Sequence, residues 1–152
     1  ADETVLQIKE MKVWFWFAID PETRKVLHFR ISWNRTNYAC RCFLQELEQK
    51  YKKKPKLVLT DGGPWYYILP RMGILHHVIS GGVRSYIERF NETLKDRTRM
   101  FDNYFPSIHA WVAGHTQRWM YLFLFYYTWI RSHMSFGDNS QILAEKRIFI
   151  KK

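Results

Sequence analysis

Leu57-Val58-Leu59-Thr60-Asp61-Gly62-Gly63 is a short apolar run closed by one acid and two glycines. A run of this length before turn residues reads as a buried strand, and what precedes it decides its direction. Upstream, Tyr38, Cys42, Phe43, Leu47 and Tyr51 recur at helical spacing after Asn34 to Thr36, whose side chains can cap a helix. That helix ends in the basic run Lys50 to Lys56, broken by Pro55. A strand reached through a helical crossover lies parallel to a neighbour. Nearer the start, Thr4, Leu6 and Ile8 alternate with Val5, Gln7 and Lys9 as in a half-buried strand, and Asp2 shares the parity of Leu6 and Ile8. Val13 to Ile19 is continuously apolar, as in a central strand, and Asp20-Pro21-Glu22-Thr23 supplies a turn. Leu27, Phe29 and Ile31 then alternate with His28, Arg30 and Ser32. Short connections make these three strands an antiparallel meander. Downstream, Trp65 to Met72 connects to a second buried strand at Leu75 to Ile79. Ser80-Gly81-Gly82 breaks the chain, and Val83, Ile87, Phe90 and Leu94 form one helical stripe.

With 152 residues, 47% of them hydrophobic and 18% aromatic, the chain can bury a core and is not a disordered segment. Two parts are expected: a core over 1–106, and an aromatic helical segment over 107–152 that packs on the core or on a dimer partner. The longest apolar stretch, Trp119 to Ile130, is too short to span a bilayer. The acidic start, Ala1-Asp2-Glu3, is unlike a signal peptide, and the missing initiator Met suggests an upstream segment. Cys40 and Cys42 are two apart on a helix, poorly placed to pair, and read as reduced packing cysteines of a cytoplasmic protein.

A net charge of +10 and a pI near 9.7 point to a polyanionic partner. Arg89, Lys95, Arg97 and Arg99 are the candidate phosphate contacts, whereas the Lys50, Lys52, Lys53, Lys54 and Lys56 cluster reads as solubilising. Asp2 at a strand start, Asp61 at a strand end and Glu88 on a helix are oxygen-only donors on separate elements, suited to Mg²⁺ or Mn²⁺ rather than zinc. Glu92 is the alternative third ligand, because Glu88, Glu92, Lys95 and Arg99 share one helix face. Gly62 and Gly63 leave room for a phosphate beside Asp61. Adjacent on a strand, His76 and His77 point to opposite faces and make a poor chelate. The chain has neither a Gly-rich phosphate loop nor a nucleophile elbow, which argues against a nucleotide cofactor and serine-type catalysis.

The element order is three strands, helix, strand, short helix, strand, long helix. This is the order of the α/β ribonuclease H-like fold: a mixed five-stranded sheet, order 3-2-1-4-5, flanked by helices, here with a C-terminal helical extension. In that arrangement the first and fourth strands are neighbours, which brings Asp2 close to Asp61. The chain also resembles the DDE transposases of small insertion elements, most closely the insertion-sequence-six type with its retroviral-integrase-like core. The resemblance is carried by Asp2-Glu3-Thr4, Trp16 through Ala18-Ile19-Asp20, Ser32 with Arg35, Thr60-Asp61-Gly62, Ile87-Glu88-Arg89, Lys95-Asp96-Arg97 and Arg131-Ser132-His133-Met134-Ser135.

This resemblance implies that Asp2, Asp61 and Glu88 are the catalytic acids of DNA strand cleavage and strand transfer, with two Mg²⁺ or Mn²⁺ ions. Two ions roughly 3.5–4 Å apart can serve both the entering and the leaving oxygen of a phosphodiester. It further implies double-stranded DNA as partner, both element ends and target, a homodimer that processes two ends together, and a nucleoid-associated place in the cytoplasm. Arg35, which recurs in the resemblance, orients DNA or braces the site. The alternatives are a ribonuclease H-like nuclease that cuts without joining, and a domesticated remnant that binds DNA without cutting.

Overall fold

Burial that alternates from Thr4 to Ile8 in β1 (Asp2–Ile8) and is near-continuous over β2 (Met11–Ile19) marks a hairpin with one half-buried strand and one central strand. In the computed structural model, which describes residues 1–8, 10–79, 85–99, 101 and 112–130, these strands pair antiparallel from Asp2↔Phe17 to Ile8↔Met11. β3 (Val26–Ser32) pairs antiparallel on the other side of β2, from Trp14↔Ser32 to Ile19↔Val26, with a bulge between Ala18 and Ile19. The expected meander is thus present. Its turn is closed by Asp20, which accepts from the Glu22 amide at 3.2 Å and from the Thr23 hydroxyl at 2.5 Å.

From Val13 to Ile19 β2 is apolar because helices cover both of its faces. On one face Trp16 and Ala18 pack with Ala39, Cys40, Phe43, Leu44 and Leu47 of α1 (Asn37–Tyr51). On the other, Phe15 and Phe17 meet Phe90 of α2 (Ser85–Thr98), the Phe17 and Phe90 rings lying 4.6 Å apart. Thr36 caps α1 by accepting from the Ala39 amide at 3.2 Å, and Lys52 ends it in the left-handed conformation. Ile87, Phe90 and Leu94 are the buried stripe of α2; Val83, expected to belong to it, lies outside the described residues.

After α1 the chain enters β4 (Leu57–Thr60), passes through two short 3₁₀ turns (Pro64–Ile68 and Pro70–Met72) and returns as β5 (Leu75–Val78). β4 and β5 are parallel, from Leu57↔Leu75 to Thr60↔Val78, as a crossover requires. The described strands pair as two sheets, β1-β2-β3 and β4-β5, and the pairing between them that an order 3-2-1-4-5 would need is not clearly present. Where the two sheets meet, the Ala1 nitrogen donates to the Leu59 carbonyl of β4 at 2.6 Å.

The chain divides into two compact units, Ala1–Pro106 and Ser107–Lys152. The described part of the second is α3 (Val112–Phe125), followed by a π-helical turn (Tyr126–Ile130). Trp119 and Phe123 stack at 5.2 Å along it, while Tyr121, Leu122, Phe125 and Ile130 are exposed. The 131–135 stretch of the resemblance lies outside the described residues. Among the described residues, no helix is long and apolar enough to cross a membrane.

Candidate metal and catalytic centre

The start of β1 and the end of β4 carry the acids. One carboxylate oxygen each from Asp2, Glu3 and Asp61 lies within 4.8 Å of the others, an oxygen-only donor set that fits a hard divalent cation. Asp2 and the Glu3 side chain are buried, whereas Asp61 is exposed. Burial pushes the Asp2 carboxyl above its ordinary range, and neighbouring Asp61 adds to this. Burial, with Asp2 and Asp61 beside it, also lifts Glu3 to about 7 against the hydrogen bond from Tyr66. A cation among these oxygens would oppose the repulsion that raises both.

Asp2 and Glu3 are neighbours on a strand and so face opposite layers. Asp2 accepts from Asn91 Nδ2 of α2 at 3.0 Å. Glu3 accepts from the Tyr66 hydroxyl at 2.5 Å and lies 3.5 Å from Arg35 Nη1. Asp61 Oδ1 accepts from the Gly63 amide at 3.1 Å, which fixes the turn behind it. The residue before it, Thr60, is held from two sides: its Oγ1 accepts from the Gly62 amide at 3.1 Å and is 2.7 Å from His76 Nε2. Burial pushes the His76 imidazole below its ordinary range. His76 therefore serves the turn through Thr60, while His77 is exposed.

Replacing Thr60 with Val keeps the shape and removes that oxygen. Its unfolding free energy is expected to fall by about 1–3 kcal/mol, the usual cost of orphaning buried hydrogen-bonding groups, as measured by denaturant melts.

The two glycines after Asp61 also serve the packing of their own neighbours. Gly62 has φ +87°, and a Cβ there would stand 3.0 Å from Val78 Cγ1. A Cβ on Gly63 would come within 2.3 Å of the Trp65 indole. The bare backbone admits Val78 and Trp65.

Glu88 is exposed on the first turn of α2 and lies outside the Asp2, Glu3 and Asp61 group; Glu92 is exposed too. On α2, Asn91 touches Asp2, three residues after Glu88 and on the same helix face. Sequence reasoning missed Asn91, and the available signal was its place between Phe90 and Leu94, a polar residue beside a buried stripe. It also missed Glu3 and Tyr66, since nothing in a sequence shows which hydroxyl a buried carboxyl will meet. Arg89, Lys95, Arg97 and Arg99 are exposed on or just after α2. Cys40 and Cys42 are free thiols, and burial pushes that of Cys40 up to about 12.

A family model, DDE_Tnp_IS240, described as the DDE domain, matches residues 1–120. The chain belongs to this family of transposase DDE domains. The DDE domain is 32% identical over 132 residues to the uncharacterized protein MJ0017 of Methanocaldococcus jannaschii, covering 86% of this chain. It spans 60% of the length of that relative. Among solved structures it is similar to the catalytic core domain of BIV integrase, with a TM-score of 0.63 at 15% identity over 99% of this chain and 97% of that one. The HTLV-2 integrase catalytic core domain in complex with magnesium, in its dimeric form, gives 0.58 at 15% identity over 87% and 85%. A chain of the simian T-cell lymphotropic virus intasome gives 0.65 at 17% identity over 87% of the DDE domain and 48% of its own length. At these identities the likeness establishes the fold, that of an integrase catalytic core.

Proposed function

We propose that this DDE domain cuts and joins DNA strands at the ends of an insertion element, with Asp2, Asp61 and Glu88 as its catalytic acids and Mg²⁺ or Mn²⁺ as cofactor. The observation that carries this reading is the approach of Asp2 and Asp61 from separate elements in a chain of the DDE family. The bond between Ala1 and Leu59 supports the neighbourhood of β1 and β4, and with it the sheet order 3-2-1-4-5. Asp2 and Asp61 hold the ions, and Glu88 completes the set from the helix face on which Asn91 already touches Asp2. Two ions, when bound, supply positive charge at the entering and leaving oxygens of the phosphodiester.

The chain's own groups arrange the rest. Asn91 orients the Asp2 carboxylate, the Gly63 amide orients that of Asp61, and Arg89, Lys95, Arg97 and Arg99 hold the DNA backbone along α2. In the first reaction water attacks a phosphodiester and the bond to the 3′ oxygen breaks, releasing a 3′-hydroxyl. That hydroxyl then attacks a target phosphodiester and displaces a second 3′ oxygen. The exposed apolar side chains of α3, among them Tyr121, Leu122 and Phe125, are proposed to pair two copies on the nucleoid, in the cytoplasm.

The test is incubation of the purified protein with duplex DNA bearing the element's ends and Mg²⁺. Cut and joined products are expected; cut products alone would leave a nuclease, and neither would leave a DNA-binding remnant. Affinity for random duplex should fall steeply with salt. Lys95→Ala should flatten the log–log slope by about 0.9, the contribution of one phosphate contact. An unchanged slope would remove Lys95 from the DNA-binding face.

A further inference from the structure

Asp2 and Asp61 arrive on separate segments, yet their carboxylates must keep a fixed separation to share a cation. A set of side chains on the α1 face of β1 ties the two segments together. The Tyr66 hydroxyl donates to Glu3 Oε2 at 2.5 Å, and the other Glu3 oxygen lies 3.5 Å from Arg35 Nη1. The Arg35 guanidinium lies against two indoles, its Cζ 4.1 Å from the centre of a Trp14 ring and 3.8 Å from that of a Trp65 ring. Trp65 and Tyr66 both belong to the turn that follows Asp61, and the Trp65 indole rests on Gly63, where no Cβ would fit. Trp14 belongs to β2, one strand away from Glu3. Every member therefore connects the strand of Asp2 to the turn of Asp61.

We propose that Glu3, Arg35, Tyr66, Trp14 and Trp65 form a clamp that sets the Asp2 carboxylate against that of Asp61. In this clamp Arg35 is a positioning residue rather than a DNA contact, and Glu3 is a positioning residue rather than a metal ligand. The inference rests on the proposed two-acid metal site. The guanidinium rests against two indole rings and also reaches Glu3, while the Arg35 side chain stays partly exposed. A planar, delocalised cation suits that place; an ammonium does not. The Glu3 side chain is 2% exposed, and both its oxygens have partners on the face opposite Asn91.

The experiment compares Arg35→Lys, Arg35→Ala, Glu3→Gln and Tyr66→Phe with the unaltered protein. It measures strand cleavage with Mg²⁺, DNA binding at several salt concentrations, and calorimetric titration with Mn²⁺. Each variant is expected to lose about 10–100-fold in kcat or Mn²⁺ affinity, the usual effect of removing a support behind a metal ligand, with the KM for DNA and the salt slope unchanged. Glu3→Gln should still bind Mn²⁺, and combining it with Arg35→Ala should cost no more than either change alone, because the two act as one unit.

Three results would overturn the clamp: Arg35→Lys as active as the unaltered protein; Arg35→Ala raising KM and flattening the salt slope, as a phosphate contact would; or Glu3→Gln abolishing Mn²⁺ binding as Asp61→Ala does. Should Arg35→Ala fail to fold, Arg35→Lys and Tyr66→Phe carry the test. If the unaltered protein takes up no Mn²⁺, the two-acid reading falls and the clamp with it. Unaltered protein that binds and cuts beside unaffected variants removes the clamp alone.

Discussion

Asp61→Ala is expected to abolish strand cleavage while leaving the metal-free protein at least as stable as before. The loss of activity follows from the donor set. Asp61 is the acid on the β4 side, and without it Asp2 has no carboxylate partner across the join between the two sheets. Charge stabilisation by a bound metal ion contributes several kcal/mol to a transition state, and about 1.4 kcal/mol is a factor of ten, so the rate should fall by at least about 10³. Calorimetry should show Mn²⁺ binding lost in parallel, and cleavage by the variant at more than a hundredth of the normal rate, roughly, would sink the assignment.

The stability half of this prediction comes from the same geometry. Without a cation, Asp61 raises the proton affinity of both Asp2 and Glu3 beyond what their burial does. The folded protein keeps the Glu3 proton up to about pH 7, whereas the unfolded chain releases it near its ordinary value of 4.5. This group's contribution to stability is therefore complete below pH 4.5 and is lost as pH rises to about 7. Removing Asp61 lessens the repulsion behind that loss, so thermal melts in chelator should decline less across this window in the variant. A steeper decline would contradict the electrostatic account.

Phe90→Ala is expected to lower unfolding free energy by about 3–5 kcal/mol, the range for deleting a large buried aromatic side chain. Phe90 is fully buried, with its ring 4.6 Å from Phe17 and 6.5 Å from Phe15. It fastens α2 to the sheet, and the next residue is Asn91, the one that holds Asp2. Cleavage should therefore fall even under conditions where the variant stays folded. Phe90→Leu, which keeps most of the volume, should cost much less on both counts. Denaturant melts and cleavage rates on the same preparations check this, and an active, stable Phe90→Ala would mean that α2 is held by something else.

How much of this could be read beforehand depended on whether a feature is local. The β2 run Val13 to Ile19 announced a strand covered on both faces, and Leu57 to Thr60 after a helical stretch announced a parallel strand, because periodicity and crossover length are local properties. The approach of Asp2 to Asp61 followed from strand order. Pairings that depend on where side chains end up in three dimensions were not legible. Asn91 looked like an ordinary helix residue, Glu3 like the neighbour of an important acid, and Tyr66 like part of a connection. That Gly63 also admits Trp65 was not legible, because the place of Trp65 is set by tertiary packing rather than by the glycine. Element order alone, from which the sheet order was read, cannot show how far two strands run side by side.

The opposite orientations of Asp2 and Glu3 carry a consequence for assembly of the fold. A slip of β1 against β2 by one position would exchange the layers that receive the two acids, placing the longer side chain under α2 and the shorter one under the aromatic turn. The tyrosine hydroxyl would then lose its acceptor, and the helix amide its partner, in the same event. A misaligned hairpin would thereby forfeit two contacts at once, one on each side of the strand.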